Sequence, residues 1–160
     1  MIVSVRGGSK AQKRDLMNAA HSYARQLMSD RLTSKLEIEI VLMKDLLFTE
    51  GVQGDCTWED SSYRPREFTI RIDRKNYPLI PLKTLAHEMV HVKQFARSEL
   101  KDAGHDHKWM GKRISGKTQY DKLPWEIEAT GREASLMIRY LVETDRTELL
   151  DQPFKASDLL

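Results

Sequence analysis

Residues 84–94 read TLAHEMVHVKQ, and the two histidines in that stretch stand four positions apart. Residues so spaced share one face of an α-helix, about 6 Å apart along its axis. Leu82, Leu85, Ala86, Met89 and Val90 supply apolar positions around His87 and His91, so the spacing predicts a helix over 82–97 with Pro81 at its opening. Two imidazoles on one helical face can hold a single metal ion, but a metal site of this kind needs a third protein ligand. The rest of the chain must then fold so as to bring that ligand to this helix.

Glu88 follows the first histidine and projects about 100° around the helix from it. From there it can accept a proton from a metal-bound water instead of binding the metal. HEMVH matches the H-E-x-x-H arrangement at every position. The plainer reading makes His87 and His91 ordinary core-edge histidines and Glu88 a solvated side chain. Two histidines at ligand spacing, with the glutamate in place, favour the metal.

Two downstream segments compete for the third ligand. In PWEIEATGRE, helical counting from Glu126 passes through Thr130, Ala134, Met137 and Leu141, a mainly apolar and inward face. Counting from Glu128 passes through Gly131, Arg132, Ser135 and Arg139, a solvent face. Glu126 thus points inward, beside Ile127, where a carboxylate is costly unless paired or metal-bound. Glu133 lies near the same edge, as a candidate partner for a histidine N–H. The alternative is GHDHKWMGKR, in which His105 lies fourteen residues after His91, with His107 two further on.

The other segments read as an α+β chain. MIVSV is β-prone, and Ser9 caps a helix along SKAQKRDLMNAAHSYARQLMSD. LEIEIVLM at 36–43 reads as a strand entering a core, and EFTIRID at 67–73 as a half-buried strand. Between them lie turn-rich loops, with a short strand near Cys56–Trp58. Residues 98–122 are polar, basic and glycine-containing, and read mostly as loop. A last helix starts at Pro124. The expected fold is a small mixed or antiparallel sheet backed by an N-terminal helix, the HEMVH helix and a C-terminal helix, in one domain over 1–144, with 145–160 as a loosely attached tail.

Composition narrows the classes. With 160 residues, 40% hydrophobic and 31% charged, the chain suits one globular domain, and its net charge of +2 does not by itself argue for nucleic acid. A single cysteine, Cys56, excludes an internal disulfide framework. No apolar run serves as a signal peptide or membrane span. The expected setting is a reducing cytoplasm, with no membrane partner. Nothing in the sequence sets an oligomeric state.

HEMVH with an inward glutamate on a following helix resembles the gluzincin group of zinc metallopeptidases, especially its small single-domain members. HEMVHVKQ, then W-x-G in KWMGK, then LPWEIEATGRE is similar to small HExxH proteins encoded by bacteriophages, a likeness spanning roughly residues 67–140. It implies a zincin-like fold, one Zn²⁺ per chain on His87, His91 and Glu126, Glu88 as general base, and a host-cytoplasmic protein if phage-encoded. Members of the group often carry an acidic residue four positions after the third ligand. Here Thr130 stands there, so that support is missing or comes from Glu133. A second resemblance is to the SprT-like proteases, whose third ligand is a histidine four residues before an aromatic, as His105 is before Trp109. That arrangement makes the basic excess of 101–122 a nucleic-acid contact, whereas a solvated loop is the simpler account.

The chemistry implied is hydrolysis of a polypeptide substrate without a covalent intermediate. The strand 67–73 is expected to form the rim of the cleft and pair with extended substrate. His107, Tyr120 and Tyr140 are candidate oxyanion donors, joined by His105 if Glu126 holds the metal. Two non-enzymatic classes compete: a zincin-fold binding module with little turnover, and a phage structural protein in which zinc only stabilises the fold.

Overall fold

In the computed structural model, which describes residues 1–61, 63–74 and 78–151, the chain is a mixed α+β protein. The N-terminal half runs β1 (Ile2–Arg6), α1 (Lys10–Leu27), α2 (Asp30–Thr33), β2 (Glu37–Met43), α3 (Leu46–Glu50), β3 (Gly54–Trp58) and β4 (Glu67–Asp73). Next come α4 (Leu79–Ala96), β5 (Leu100–Ala103), β6 (Asp106–Trp109), β7 (Lys112–Ile114) and α5 (Pro124–Glu143). Short 3₁₀ turns lie at Tyr120–Lys122 and Thr147–Asp151.

Local chemistry accounts for the helix starts. Ser9 and Gln12 form a reciprocal capping box on α1, in which the Ser9 hydroxyl oxygen accepts from the Gln12 N–H and the Gln12 side chain accepts from the Ser9 N–H. Pro124 occupies the first turn of α5, where a missing N–H costs nothing. Helix α4 begins at Leu79, so Pro81 lies within its first turn instead of opening it.

The main sheet has the order β1-β2-β4-β3. Strands β1, β2 and β4 are parallel, and β3 returns antiparallel to β4 at the edge. Alternation sets its two faces. Ile38, Ile40, Leu42, Phe68, Ile70 and Ile72 are buried in the main core, while Glu37 and Glu67 on the opposite face are exposed. Helices α1 and α4 pack against the buried face, and α5 packs onto both of them.

The sequence-based expectation fails at two places in the fold. Residues 98–122 are not mostly loop: β5, β6 and β7 form a three-stranded antiparallel meander. The strand 67–73 does not border the cleft, because β4 lies between β2 and β3 and has both edges paired. Of the segment after α5, Arg146 Nη1 lies 2.6 Å from Asp15 Oδ1 and Leu149 packs on the core. Residues 152–160, including Pro153, lie outside the described residues. Among the described residues, no helix is long and apolar enough to cross a membrane.

Candidate metal centre

Helix α4 crosses the core, and its second half is buried on nearly every side. Its polar residues therefore need internal partners, which α5 supplies. The buried face of α5 carries Trp125, Glu126, Ala129, Leu136, Met137 and Tyr140, with Glu133 at its edge. Glu126 points inward as the helical count predicts, but Thr130, Ala134 and Ile127 are exposed. The buried stripe follows mixed steps of three and four, and steps of four alone drift off it. Glu128 also departs from the expected solvent face. It accepts from Lys93 Nζ at 2.7 Å and from the Gln94 amide at 3.0 Å.

Among the described residues, His87, His91 and Glu126 form a group whose ligand atoms lie within 4.8 Å of one another. Glu126 Oε2 is 3.2 Å from His87 Nε2, and Oε1 is 3.5 Å from His91 Nε2. The Tyr120 hydroxyl donates to the same Oε2. Both imidazoles have their second nitrogen engaged: His87 Nδ1 lies 2.8 Å from Glu133 Oε2, and His91 Nδ1 lies 2.8 Å from Gln94 Oε1. Lys83 Nζ is 3.1 Å from the other Glu133 oxygen. The donor set fits a tetrahedral divalent ion, since two imidazole nitrogens and a carboxylate oxygen converge and leave a fourth direction open.

In the metal-free protein these groups share protons. Burial alone would lower the His87 pKa, but hydrogen bonds to Glu126 and Glu133, with Glu88 nearby, carry it up to about 9. His91 is also raised, since Glu126 and Glu88 outweigh its burial. Burial would raise Glu126, but its bonds to the two histidines and Tyr120 hold it far below the usual carboxylate range. Glu88 moves the other way. Burial pushes its carboxyl up to about 7, with Glu126 and Asp55 adding to the rise and the two imidazoles opposing it. A carboxyl poised there can take and return a proton near neutral pH.

Two cavities meet at this centre. One, of about 690 Å³, is lined by Val52, Leu79, Ile80, Thr84, Glu88 and Met137 among others. The second, of about 300 Å³, is bordered by Cys56, His91, Phe95, His107, Trp125 and Glu126. Val52, Gly54, His87, Glu88 and Tyr120 line both.

The wall of the cleft is β3. A Cβ on Gly54 would lie 2.5 Å from Thr84 Cγ2 and 3.3 Å from Glu88 Oε1, so only glycine lets this strand come so close. Asp73 N donates to Gln53 O and Glu59 N donates to Glu67 O, so odd-numbered residues of β3 bond to β4. The N–H and C=O groups of Gly54, Cys56 and Trp58 therefore face the open side.

Compared with known proteins, the chain matches no family model, no curated protein and no solved structure.

The remaining sequence candidates divide cleanly. His105 sits at the exposed turn between β5 and β6, outside the donor group, so the structure brings Glu126 and not His105 to the histidines. The His107 ring lies tilted against Trp125, 5.0 Å between centroids, and borders the site. Tyr140 does not reach it: the ring packs against Tyr23 and the hydroxyl donates to Asp15. Sequence reasoning passed over Gln94. Its signal was position, three residues past a ligand histidine on a buried helix.

Proposed function

We propose that this protein is a zinc-dependent metallopeptidase with a zincin-like fold that cleaves polypeptide chains. The observation that supports this best is the convergence of His87 Nε2, His91 Nε2 and Glu126 on one point, with Glu88 beside them in an open cleft. An acid and two bases are a costly way to fill a core even when paired, because the desolvation of buried ionic groups offsets most of what their pairing gains. They do suit a Zn²⁺ ion, which when bound supplies Lewis acidity and acidifies water.

The chain's own residues then divide the work. His87, His91 and Glu126 hold the ion. Glu88 takes the proton of the attacking water and returns it to the leaving amine. Substrate lies along the free edge of β3, where the exposed amides and carbonyls of Gly54 and Cys56 pair with an extended backbone. This edge replaces β4 as the substrate-binding strand. Tyr120, with its hydroxyl already at Glu126, offers an O–H to the developing oxyanion, and His107 is the other donor within reach.

Zinc per chain and cleavage of an unfolded protein test the reading together. Wild type should carry one zinc and cleave. Glu126→Ala should lose the metal, His105→Ala should keep it, and Glu88→Gln should keep it while activity falls by about 10²–10⁴. Absence of zinc after reconstitution would sink the reading. Bound zinc with equal inactivity of wild type and Glu88→Gln would leave a binding module instead.

A further inference from the structure

Gln94 is fully buried, three residues beyond His91 on α4. Its amide nitrogen donates at 3.0 Å both to the Trp125 carbonyl and to Glu128 Oε2. A backbone carbonyl and an ionised carboxylate accept hydrogen bonds and donate none. The NH₂ end of Gln94 is thereby pinned to α5, and its oxygen is what His91 Nδ1 meets at 2.8 Å.

The acceptor Glu128 is itself held. Lys93 Nζ donates to its Oε1 at 2.7 Å and Arg132 Nε at 2.9 Å. Lys93 is buried and also pairs with Glu99 at 2.7 Å. Two cations thus keep Glu128 ionised, and an ionised Glu128 keeps the Gln94 amide from flipping.

We propose that Gln94 is the positioning residue for His91. By accepting from Nδ1 it keeps a proton there and leaves Nε2, the nitrogen that faces Glu126, as the one that bonds a metal. This rests on the zinc reading of the site. The two ligand histidines are then held by different chemistry. His87 Nδ1 has a carboxylate, Glu133, and His91 Nδ1 has a neutral amide. An amide orients the ring without adding another negative charge next to Glu126 and Glu88. The constraint originates on α5, so the pairing of the two helices and the tautomer of His91 are set by the same contacts.

The test reads the ring directly in zinc-free protein. Nitrogen-15 spectra of labelled histidine, taken in alkaline solution where the imidazoles are neutral, should show wild-type His91 protonated at Nδ1. Gln94→Met should move His91 toward the Nε2-protonated form, leave His87 unchanged, and weaken zinc binding by about 10–100-fold. Glu128→Gln removes the anionic acceptor but keeps Trp125, so it should shift a smaller fraction of His91 the same way. It also serves as the readout if Gln94→Met does not fold, which circular dichroism reports.

A wild-type His91 protonated at Nε2 would overturn the proposal. So would a tautomer, or a zinc dissociation constant, unchanged in the folded variants. A wild type that binds no zinc yet keeps His91 protonated at Nδ1 and responds to both variants would sink the zinc reading and leave the role of Gln94 standing.

Discussion

His87 faces more negative charge than a histidine of ordinary pKa could meet without protonating. Glu126 and Glu133 flank its two nitrogens, and Glu88 lies next to it in sequence. Its pKa is raised from 6.5 to about 9, so in the metal-free protein its ion pairing is fully present below about pH 6.5 and is lost as the pH rises through about 9. Glu88, raised from 4.5 to about 7, adds a slope of the same sign at lower pH, because its neutral form is the one the fold favours. Metal-free protein should therefore melt at a lower temperature at pH 9 than at pH 6.5. A zinc ion bound as proposed would have to displace the His87 proton. Its apparent affinity should rise across the same window, by up to about tenfold per pH unit for each proton displaced. Competition with a chelator at several pH values checks this, and a flat affinity would remove His87 from the donor set.

Strand β3 shows how an element can matter through a side chain it lacks. Gly54→Val would place carbon against Thr84 and the Arg71 carbonyl. The strand must then move off Glu88. We expect a loss of about 1–3 kcal/mol in stability and a larger loss in kcat/KM than in zinc content, measured by thermal melts, peptide cleavage and metal analysis. Unchanged cleavage would mean that substrate does not use this edge. β3 was legible only in part, as a short strand near Cys56–Trp58 that in fact starts at Gly54. Its five residues, GDCTW, have little apolar alternation, whereas the α4 pattern is long and unmistakable. The meander β5–β7 was hidden for a related reason. Its strands are three or four residues long, and one turn is Met110-Gly111 with φ of 49° and 83°, where Asn-Gly would have announced a hairpin. Leu100, His107, Trp109 and Ile114 did mark one face, but tertiary packing on Trp125 makes that face count, and packing is not local information. At the site, His87, Glu88, His91, Glu126 and Glu133 were all readable from helical spacing. Tyr140 was not excluded by spacing, because its partner Asp15 lies 125 residues away on α1.

Seen whole, the molecule has a stable side and a conditional one. Helix α1 is tied to the C-terminal end of α5 and the residues just after it, through Ser22 with Glu143 at 2.7 Å and through Asp15 with Tyr140 and Arg146. Those ties, and the sheet beneath them, do not involve the donor set. The donors come from two helices only, and His87 and Glu126 are 39 residues apart, with the meander between them. A bound ion would act on that segment as a disulfide acts on the loop it closes. A chelator would correspond to a reductant: it opens one loop and spares the rest. Amide hydrogen exchange should then quicken in β5–β7 and the first turns of α5 when zinc is removed, while β1, β2 and β4 hold their protection. Uniform quickening would mean that the ion supports the whole core. With the loop as the only part released, the protein could lose and regain its metal repeatedly without unfolding, and the supply of zinc would govern how much of it works and not how much survives.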